Sequence, residues 1–147
     1  MPFPAMRLRA TDLAWAAGIL DGEGYIGIQF RGGKVYGTHQ VAVVVVNSSR
    51  NMVERLLALF GGSVCRQGKL WAWSAGQAAA ANMLERCRRY MVGKADQAWL
   101  ALEFLAQRQV IRGNRREGRG SPSISDEERA LREGFRLALK GLHGGNR

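Results

Sequence analysis

A twelve-residue segment, Leu13–Gly24, constrains the fold of this chain most, because a helical run of small apolar residues ends there in an acidic turn. Gly22 and Gly24 are predicted to end the helix and to allow a sharp turn into a strand. A buried helix with a glycine cap explains these glycines. It does not explain two carboxylates, Asp21 and Glu23, at a helix C-terminus, where the helix dipole disfavours negative charge. A structural cap and a functional acid therefore both stay open as interpretations.

The helix that leads into this turn is predicted to have two different small or apolar faces. Thr11 is the expected N-cap, with Asp12 in the first turn, where the dipole favours an anion. One face can enter the core of the chain and consists of Leu13, Ala16, Ile19 and Leu20. The other face is small enough for a second helix backbone to come close and consists of Ala14, Ala17, Gly18 and Asp21.

The length and charge of the chain indicate how many domains it forms and what kind of partner it binds. Its 147 residues are expected to form one domain with a full hydrophobic core. It carries 22 Lys and Arg against 12 Asp and Glu, a formal charge of +10, which favours a polyanionic partner such as nucleic acid. Cys65 and Cys87 make neither a disulfide framework nor a zinc site. We expect an intracellular protein (cytoplasm, nucleoid or organelle) that is not secreted, crosses no membrane and uses no small-molecule substrate.

The periodicity of the apolar residues predicts an α+β protein with the element order αββαββα. After the first helix, the predicted elements are strands at 24–32 and 35–47, a helix at 49–60, a hairpin of 63–66 and 70–74 around a turn at 67–69, and helices at 76–90 and 95–110. Trp71 and Trp73 alternate on one strand, so they share a face, and we expect them between the sheet and the helices.

The C-terminal third differs in composition. Residues 112–123 lack apolar side chains and carry four arginines, which is typical of a loop or basic linker. Ser125 and Glu128 form a capping-box pattern that opens a final helix. We therefore divide the chain into a core at 1–110, a linker at 111–124 and a C-terminal helix at 125–141 that belongs to the same domain.

The helix and turn at 16–24, with the sequence AAGILDGEG, resemble the signature of the LAGLIDADG homing endonucleases. The segment from Lys94 to Ala98 (KADQA) resembles the region in which a catalytic lysine precedes a Gln-Ala pair that opens the next helix. The stretch 56–61 and the Trp-x-Trp strand also resemble family patterns. The resemblance covers about residues 10–110 and includes the order αββαββα, so it implies the family fold with an antiparallel, saddle-shaped sheet.

The resemblance implies a site-specific, metal-dependent endonuclease that cuts double-stranded DNA as a homodimer. One motif is present, so two copies of the first helix are expected to pack together, with Ala14, Ala17, Gly18 and Asp21 at the seam. It leaves open whether the gene lies in an intron or an intein or stands alone.

The same resemblance assigns roles around the turn. Glu23 corresponds to the metal-binding acid, and the carbonyl of Gly22 is a further candidate ligand for Mg²⁺ or another divalent cation. Asp21 receives a structural role as a hydrogen-bond acceptor. Lys94 would neutralise developing charge or order the water network. In relatives a polar residue contacts the water pocket, and the corresponding position falls within 47–49 of this chain. Counting back from Gly61 favours Ser49, which becomes a third candidate catalytic residue.

The sheet is expected to read the major groove of DNA, where base edges present distinguishable patterns. On the first strand, alternation predicts that Gly27, Gln29 and Arg31 point outward and that Ile26, Ile28 and Phe30 point inward. On the second strand, Gln40 shares a face with Ala42, Val44 and Val46, which suggests thymine-methyl contacts or reduced sequence discrimination. The predicted DNA-binding residues are Gln29, Arg31, Lys34, Gln40, Arg66, Lys69, Arg115 and Arg116, although a solvated strand face explains any one of them equally well.

Two other functions are compatible with the sequence. One is a non-catalytic DNA- or RNA-binding protein on the same scaffold, such as a splicing maturase or a regulator. The other is a basic structural protein with an α+β core. The presence of both Glu23 and Lys94 favours the enzyme over the binding protein.

Overall fold

The computed structural model describes residues 8–32, 37–114 and 125–144, and these residues confirm the predicted α+β class. Within them the elements, in chain order, are α1 (Ala10–Glu23), β1 (Gly24–Arg31), β2 (Thr38–Asn47), α2 (Arg50–Phe60), β3 (Ser63–Gln67), β4 (Leu70–Gly76), α3 (Gln77–Cys87), a 3₁₀ turn (Arg88–Tyr90), α4 (Ala95–Asn114) and α5 (Asp126–Gly144). The predicted order αββαββα is therefore confirmed, with α5 added to it.

The four strands form one antiparallel sheet in the order β1-β2-β4-β3. The run of β-branched residues in β2 suits a central strand that packs against both neighbours and a helical layer. Val41, Val43 and Val45 are buried on one face of β2, and the residues between them are half-buried on the other. Since Val45 lies opposite Trp73, the buried face continues onto β4.

The core lies between this buried face and the helices. Each of the first four helices contributes a fully buried side chain to it: Leu20, Leu56, Leu84 and Phe104. Trp73 packs there as predicted, and its indole nitrogen donates a hydrogen bond to the carbonyl of Gly61 at 2.8 Å. That bond satisfies the polar atom that an indole brings into a core.

The bounds of α1 differ from the prediction at both ends. The N-cap is Arg9 rather than Thr11, and the backbone N–H of Arg9 donates to the carboxylate of Asp12. At the other end, α1 continues through Gly22, and the chain becomes extended only at Gly24. A Cβ at Gly24 would lie 2.7 Å from the Cα of Leu20, so the strand can leave the helix this closely only with glycine.

Three further differences concern ends of elements and one side chain. α3 ends at Cys87 and is followed by the 3₁₀ turn, whereas α4 continues to Asn114, beyond the predicted boundary at residue 110. Glycine and asparagine are residue types that commonly end helices, so α4 ends at Gly113 and Asn114 rather than at residue 110. Phe30 shares the face of Ile26 and Ile28, as predicted, but it is 41% exposed near the end of β1, beside the ring of His39.

Helix α5 lies along the edge strand β1 and against α4. The backbone N–H of Glu128 donates to the hydroxyl of Ser125, as the capping pattern predicted. Leu139 is fully buried, and His143 donates from Nε2 to the carbonyl of Ile26 in β1 at 2.6 Å. The helix therefore covers part of the sheet edge, where backbone groups would otherwise lack partners.

In the part of the chain that the structure describes, no helix is both long enough and apolar enough to span a membrane.

Candidate active site

The acidic end of α1 lies beside the end of the central strand β2. Glu23 is the last residue of α1 and is exposed, and one of its carboxylate oxygens accepts a 2.6 Å hydrogen bond from the side-chain amide of Asn47. The amide oxygen of Asn47 accepts a 2.7 Å bond from the backbone N–H of Ser49. Because both ends of this amide are bonded, it holds the carboxylate of Glu23 in one orientation.

Asn47 is a site residue that the sequence analysis did not select. Ser49 was predicted to supply the polar side chain at this position, but it is the N-cap of α2 and contributes its backbone N–H instead. Asn47 lies within the predicted range 47–49, but counting back from Gly61 favoured Ser49, which is the residue just before α2. The available signal was an amide side chain at the point where the β-branched run ends.

Asp21 has a different environment from Glu23. Its half-buried carboxylate accepts hydrogen bonds from the backbone N–H groups of Val92 and Lys94, at 2.8 and 2.9 Å. These bonds join the end of α1 to the segment that leads into α4. Asp21 therefore serves as an anchor inside the chain, and Glu23 is the exposed acid of the pair.

The anchor places Lys94 at the C-terminal end of α1. Its ammonium group donates to the carbonyls of Leu20 and Gly24, at 3.0 and 2.5 Å, on either side of Glu23 in the sequence. A cation at this end of a helix is favourable, because the free carbonyls make it the negative pole. An ammonium group has three N–H donors, so one remains for another acceptor.

Oxygen ligands suitable for a hard divalent cation lie at the same helix end. The carbonyls of the last helical turn have no partner within the helix, and Gly22 faces open space. Carboxylate and carbonyl oxygens are the ligands that Mg²⁺ prefers. However, no group of three or more His, Cys, Asp or Glu that could hold a metal occurs within the described residues. Glu23 and the carbonyl of Gly22 are therefore candidate ligands of a hard cation, and further oxygen donors would have to complete its coordination.

The exposed side of α1 consists of small residues at a spacing of four. Ala14, Gly18 and Gly22 are exposed, and nothing lies within 4 Å of a Cβ placed at Gly18. Residues four apart share a helix face. Ala17, in contrast, is fully buried in the core of this chain, so its predicted place on the same face is wrong. The reason is that α1 is buried over a wider arc than the predicted stripe.

The predicted DNA-binding residues divide into two groups in the structure. Gln29 and Gln40 lie opposite each other on β1 and β2, on the sheet face that points away from the core. Arg31 follows on the same face, and its guanidinium donates to the side-chain oxygen of Gln29. Lys69 is exposed in the turn between β3 and β4. Lys34, Arg115 and Arg116 lie outside the described residues.

Arg66 does not join this face. Arg66 pairs with Trp71 on β4, and Trp71 pairs with Asn47 on β2. These three residues lie on the face of the sheet that the helices cover. The guanidinium of Arg66 lies 5.6 Å from the centre of the Trp71 ring, and that of Arg50 lies 4.9 Å from the same centre. Arg66 therefore lies on the other face of the sheet from Gln29 and Gln40, because its pairing with Trp71 sets its direction, and its contact with DNA stays a prediction.

A basic groove runs between α5 and the edge strand β1, and the sequence analysis did not predict it. Its positively charged or titratable lining residues are Arg31, Arg136, Lys140 and His143. The available signal was the spacing of four between the two α5 cations, which places them on one face of an amphipathic helix.

One carboxylate organises the base of this groove. Glu133 binds Arg136 through a bidentate ion pair and accepts a 2.8 Å bond from Nε2 of His39. The bonds from Arg136 first, and from His39 second, lower the pKa of Glu133 from its ordinary 4.5 to about 2. His39 is buried at the β1–β2 hairpin, so this contact ties α5 to the sheet.

Comparison with known proteins identifies the fold. No profile of a known protein family and no curated protein matches the sequence. The homing endonuclease I-CvuI, solved with DNA, is 19% identical over 90% of this chain and 95% of its own length, with a TM-score of 0.60. The homing endonuclease I-TnaI is 14% identical over 97% of this chain and 100% of its own length, with a TM-score of 0.63. The LAGLIDADG meganuclease I-AabMI, solved with uncleaved DNA, is 14% identical over 92% of this chain, with a TM-score of 0.69, and the chain spans about half of it, 48%.

This protein therefore has the fold of the LAGLIDADG homing endonucleases, as the resemblance of the acidic turn implied.

Proposed function

We propose that this protein is a site-specific, divalent-metal-dependent DNA endonuclease that acts as a homodimer and hydrolyses both strands. The observation that carries the proposal is the exposed carboxylate of Glu23, held by Asn47, at the end of a helix with an exposed small-residue face. The ammonium group of Lys94 is bonded to backbone carbonyls at the same helix end. The similar folds of nucleases solved with DNA support this function.

The residues divide the chemistry between them. Glu23 and the carbonyl of Gly22 would hold Mg²⁺, which when bound activates a water molecule and stabilises charge on the phosphate. The remaining N–H donor of Lys94 stabilises negative charge on a phosphate oxygen. Asn47 keeps Glu23 in the orientation that a shared site requires.

Two observations support a homodimer: the exposed small-residue face of α1, and the absence of a group of three or more metal-binding side chains among the described residues. Two copies packed through Ala14 and Gly18 bring their Glu23 residues to the same end of the paired helices. Two neighbouring carboxylates repel each other, which favours cations between them. Phosphate oxygens of DNA supply the further ligands, and two symmetric sites cut the two strands.

The DNA lies on the sheet face that carries Gln29, Gln40 and Arg31. The basic groove beside β1 continues this surface, so Lys140 and Arg136 can contact the phosphate backbone at its border. The charge of +10 over the whole chain supports such a partner.

The test is the substitution Glu23→Gln, compared with Glu85→Gln on the exposed side of α3 as a control for the loss of one negative charge. A DNA pool with randomised sequence is first selected for cleavage with Mg²⁺. On the selected site we expect Glu23→Gln to bind DNA but to lose cleavage by at least about a thousandfold, since it loses a direct metal ligand. The control should cut like the wild type.

Two results would contradict the proposal. Cleavage by Glu23→Gln at the wild-type rate would remove Glu23 from the active site. DNA binding by the wild type without cleavage, with any divalent metal, would support the non-catalytic alternative.

A further inference from the structure

The sheet face that points away from the core changes in chemistry along its strands. At the end near Glu23, Val44 lies between Tyr25 and Ser74, and Val46 lies opposite Ala72. At the far end, Gln29 lies opposite Gln40, and Arg31 lies opposite Thr38. The register thus sorts this face into an apolar zone near the acid and a polar zone away from it.

The apolar zone is accessible rather than covered by the chain. Val44 and Val46 are half-buried, and Leu70 and Tyr25 are each 42% exposed. Polar side chains border this zone on β3 and β4: Ser74, whose hydroxyl is bonded to that of Ser63, and Gln67 opposite Leu70. Between this border and the ring of Tyr25, the zone offers the methyl groups of Val44 and Val46 to whatever lies on it.

The rise per residue of a β-strand is close to the rise per base pair of a DNA duplex. A strand rises about 3.3 Å per residue, so Tyr25 lies roughly 7 Å and Gln29 roughly 20 Å along β1 from Glu23. Neighbouring base pairs are about 3.4 Å apart, so these distances correspond to about two and about six base pairs. A strand that follows the groove therefore meets different base pairs with each zone.

We propose that this protein reads the inner part of each DNA half-site through the methyl groups of thymine, and the outer part through hydrogen bonds. Val44, Val46 and Leu70 make the methyl contacts close to the cleavage position. Gln29, Gln40 and Arg31 read base edges about six base pairs from Glu23. This inference rests on the proposed endonuclease function, because that function places Glu23 at the centre of the target.

The chemistry of the base edges supports this assignment. The methyl group of thymine is the apolar group that base pairs expose in the major groove. An aliphatic side chain placed against a G·C pair would leave polar base atoms without water or a partner, which is unfavourable. Glutamine can pair with adenine and arginine with guanine through two bonds each, so the polar zone can distinguish all four base pairs.

The test uses uracil, which differs from thymine only by the missing methyl group. After selection of the target, binding of the wild-type protein without divalent metal is measured on DNA with single thymine-to-uracil changes. We expect each inner change to weaken binding about threefold to fivefold, the effect of one lost methyl contact. Changes at outer positions should have less than a twofold effect.

A matched pair of variants on one strand repeats the test from the protein side. Val44→Ala should lower the thymine preference of the inner positions and leave the base preference of the outer positions unchanged. Gln40→Ala should lower the base preference of the outer positions and leave the thymine preference of the inner positions unchanged. The uracil measurement needs no variant, so it stays decisive if a variant folds poorly.

The outcomes separate the two proposals. Selected inner positions that require guanine, or inner uracil changes as weak as outer ones, would overturn the methyl readout while the protein still cuts DNA with Mg²⁺. Absence of DNA binding would overturn both proposals.

Discussion

At the scale of single residues, the candidate site depends on how two neighbouring acids are held. Asp21 is half-buried and accepts one backbone N–H on each oxygen, whereas Glu23 is exposed and touched by one amide. Two bonds to the backbone fix Asp21 within the chain and leave it less accessible than Glu23. The backbone contacts therefore decide which of the two acids is available for chemistry.

The orientation of Glu23 can be tested through its neighbour. In Asn47→Ala, the carboxylate keeps its charge but loses the bond that orients it, so we expect the cleavage rate to fall by about tenfold to a hundredfold, with DNA affinity nearly unchanged. Ser49→Ala distinguishes the two assignments, because only the backbone of Ser49 takes part in the contact. A larger loss for Ser49→Ala than for Asn47→Ala would contradict the structure-based assignment. Single-turnover cleavage and DNA titration measure the two quantities.

At the scale of elements, α5 determines how the edge of the sheet is used. It covers β1 through Leu139, His143 and the contact between Glu133 and His39, and it leaves a basic groove beside that contact. An edge strand covered in this way is protected from pairing with another chain. The helix thus both completes the fold and supplies cations to the proposed DNA surface.

The attachment of α5 is expected to depend on pH. Glu133 has a folded-state pKa of about 2, below its ordinary 4.5, so it stabilises the fold fully above about pH 4.5. This contribution is lost as the pH falls from there toward 2, because the carboxyl takes up a proton in the unfolded state from about pH 4.5 downward, whereas in the folded state it stays ionised and bonded to Arg136 and His39 until near pH 2.

The measurement is the free energy of unfolding between pH 7 and pH 3. Glu133→Gln should be less stable than the wild type at pH 7, and the difference should shrink below pH 4.5. Glu103→Gln, at an exposed position of α4, is the control and should follow the wild type. The same pH dependence in Glu133→Gln and in the wild type would contradict this role, which is limited in size because the side chain is 39% exposed.

At the scale of the whole molecule, the proposed activity requires a second copy of the chain. The exposed face of α1 around Gly18 has room for a close approach of two helices, and the described residues of one chain contain no group of three or more His, Cys, Asp or Glu that could hold a metal. In a symmetric dimer, one substitution at this face acts twice.

The dimer can therefore be tested with a single side chain. Gly18→Leu points into open space in one chain, so the fold should survive, but two leucines would meet at the seam. We expect dimerisation to weaken by at least about tenfold, since overpacking an interface costs roughly 1–3 kcal/mol. Ala58→Leu, at an exposed position of α2, is the matched control. Sedimentation against the monomer mass of 16.2 kDa measures the effect, and unchanged dimers of Gly18→Leu would place the seam elsewhere.

The predictions that succeeded rest on local patterns. The valine run predicted β2, the turn at 67–69 lies between β3 and β4 as predicted, and the helical periodicities predicted the layer that covers the sheet. What local patterns did not specify depends on register or on neighbours. Arg66 lies on the helical side because the pairing of β3 with β4 decides its face, and Ala17 is buried because the core reaches further around α1 than its own stripe suggests.

Three properties of the protein can be read from the amino-acid sequence without the fold: the order of helices and strands, the acidic turn after a helix with a small-residue face, and the strong positive charge. Each of these follows from residues that are close together in the chain or from a simple sum over it. Three others exist only in the folded chain: Asn47 touches Glu23, Asp21 anchors the segment of Lys94, and α5 forms a basic groove with β1. These contacts join residues up to more than a hundred positions apart, as with Ile26 and His143, and their formation depends on packing that no local pattern specifies.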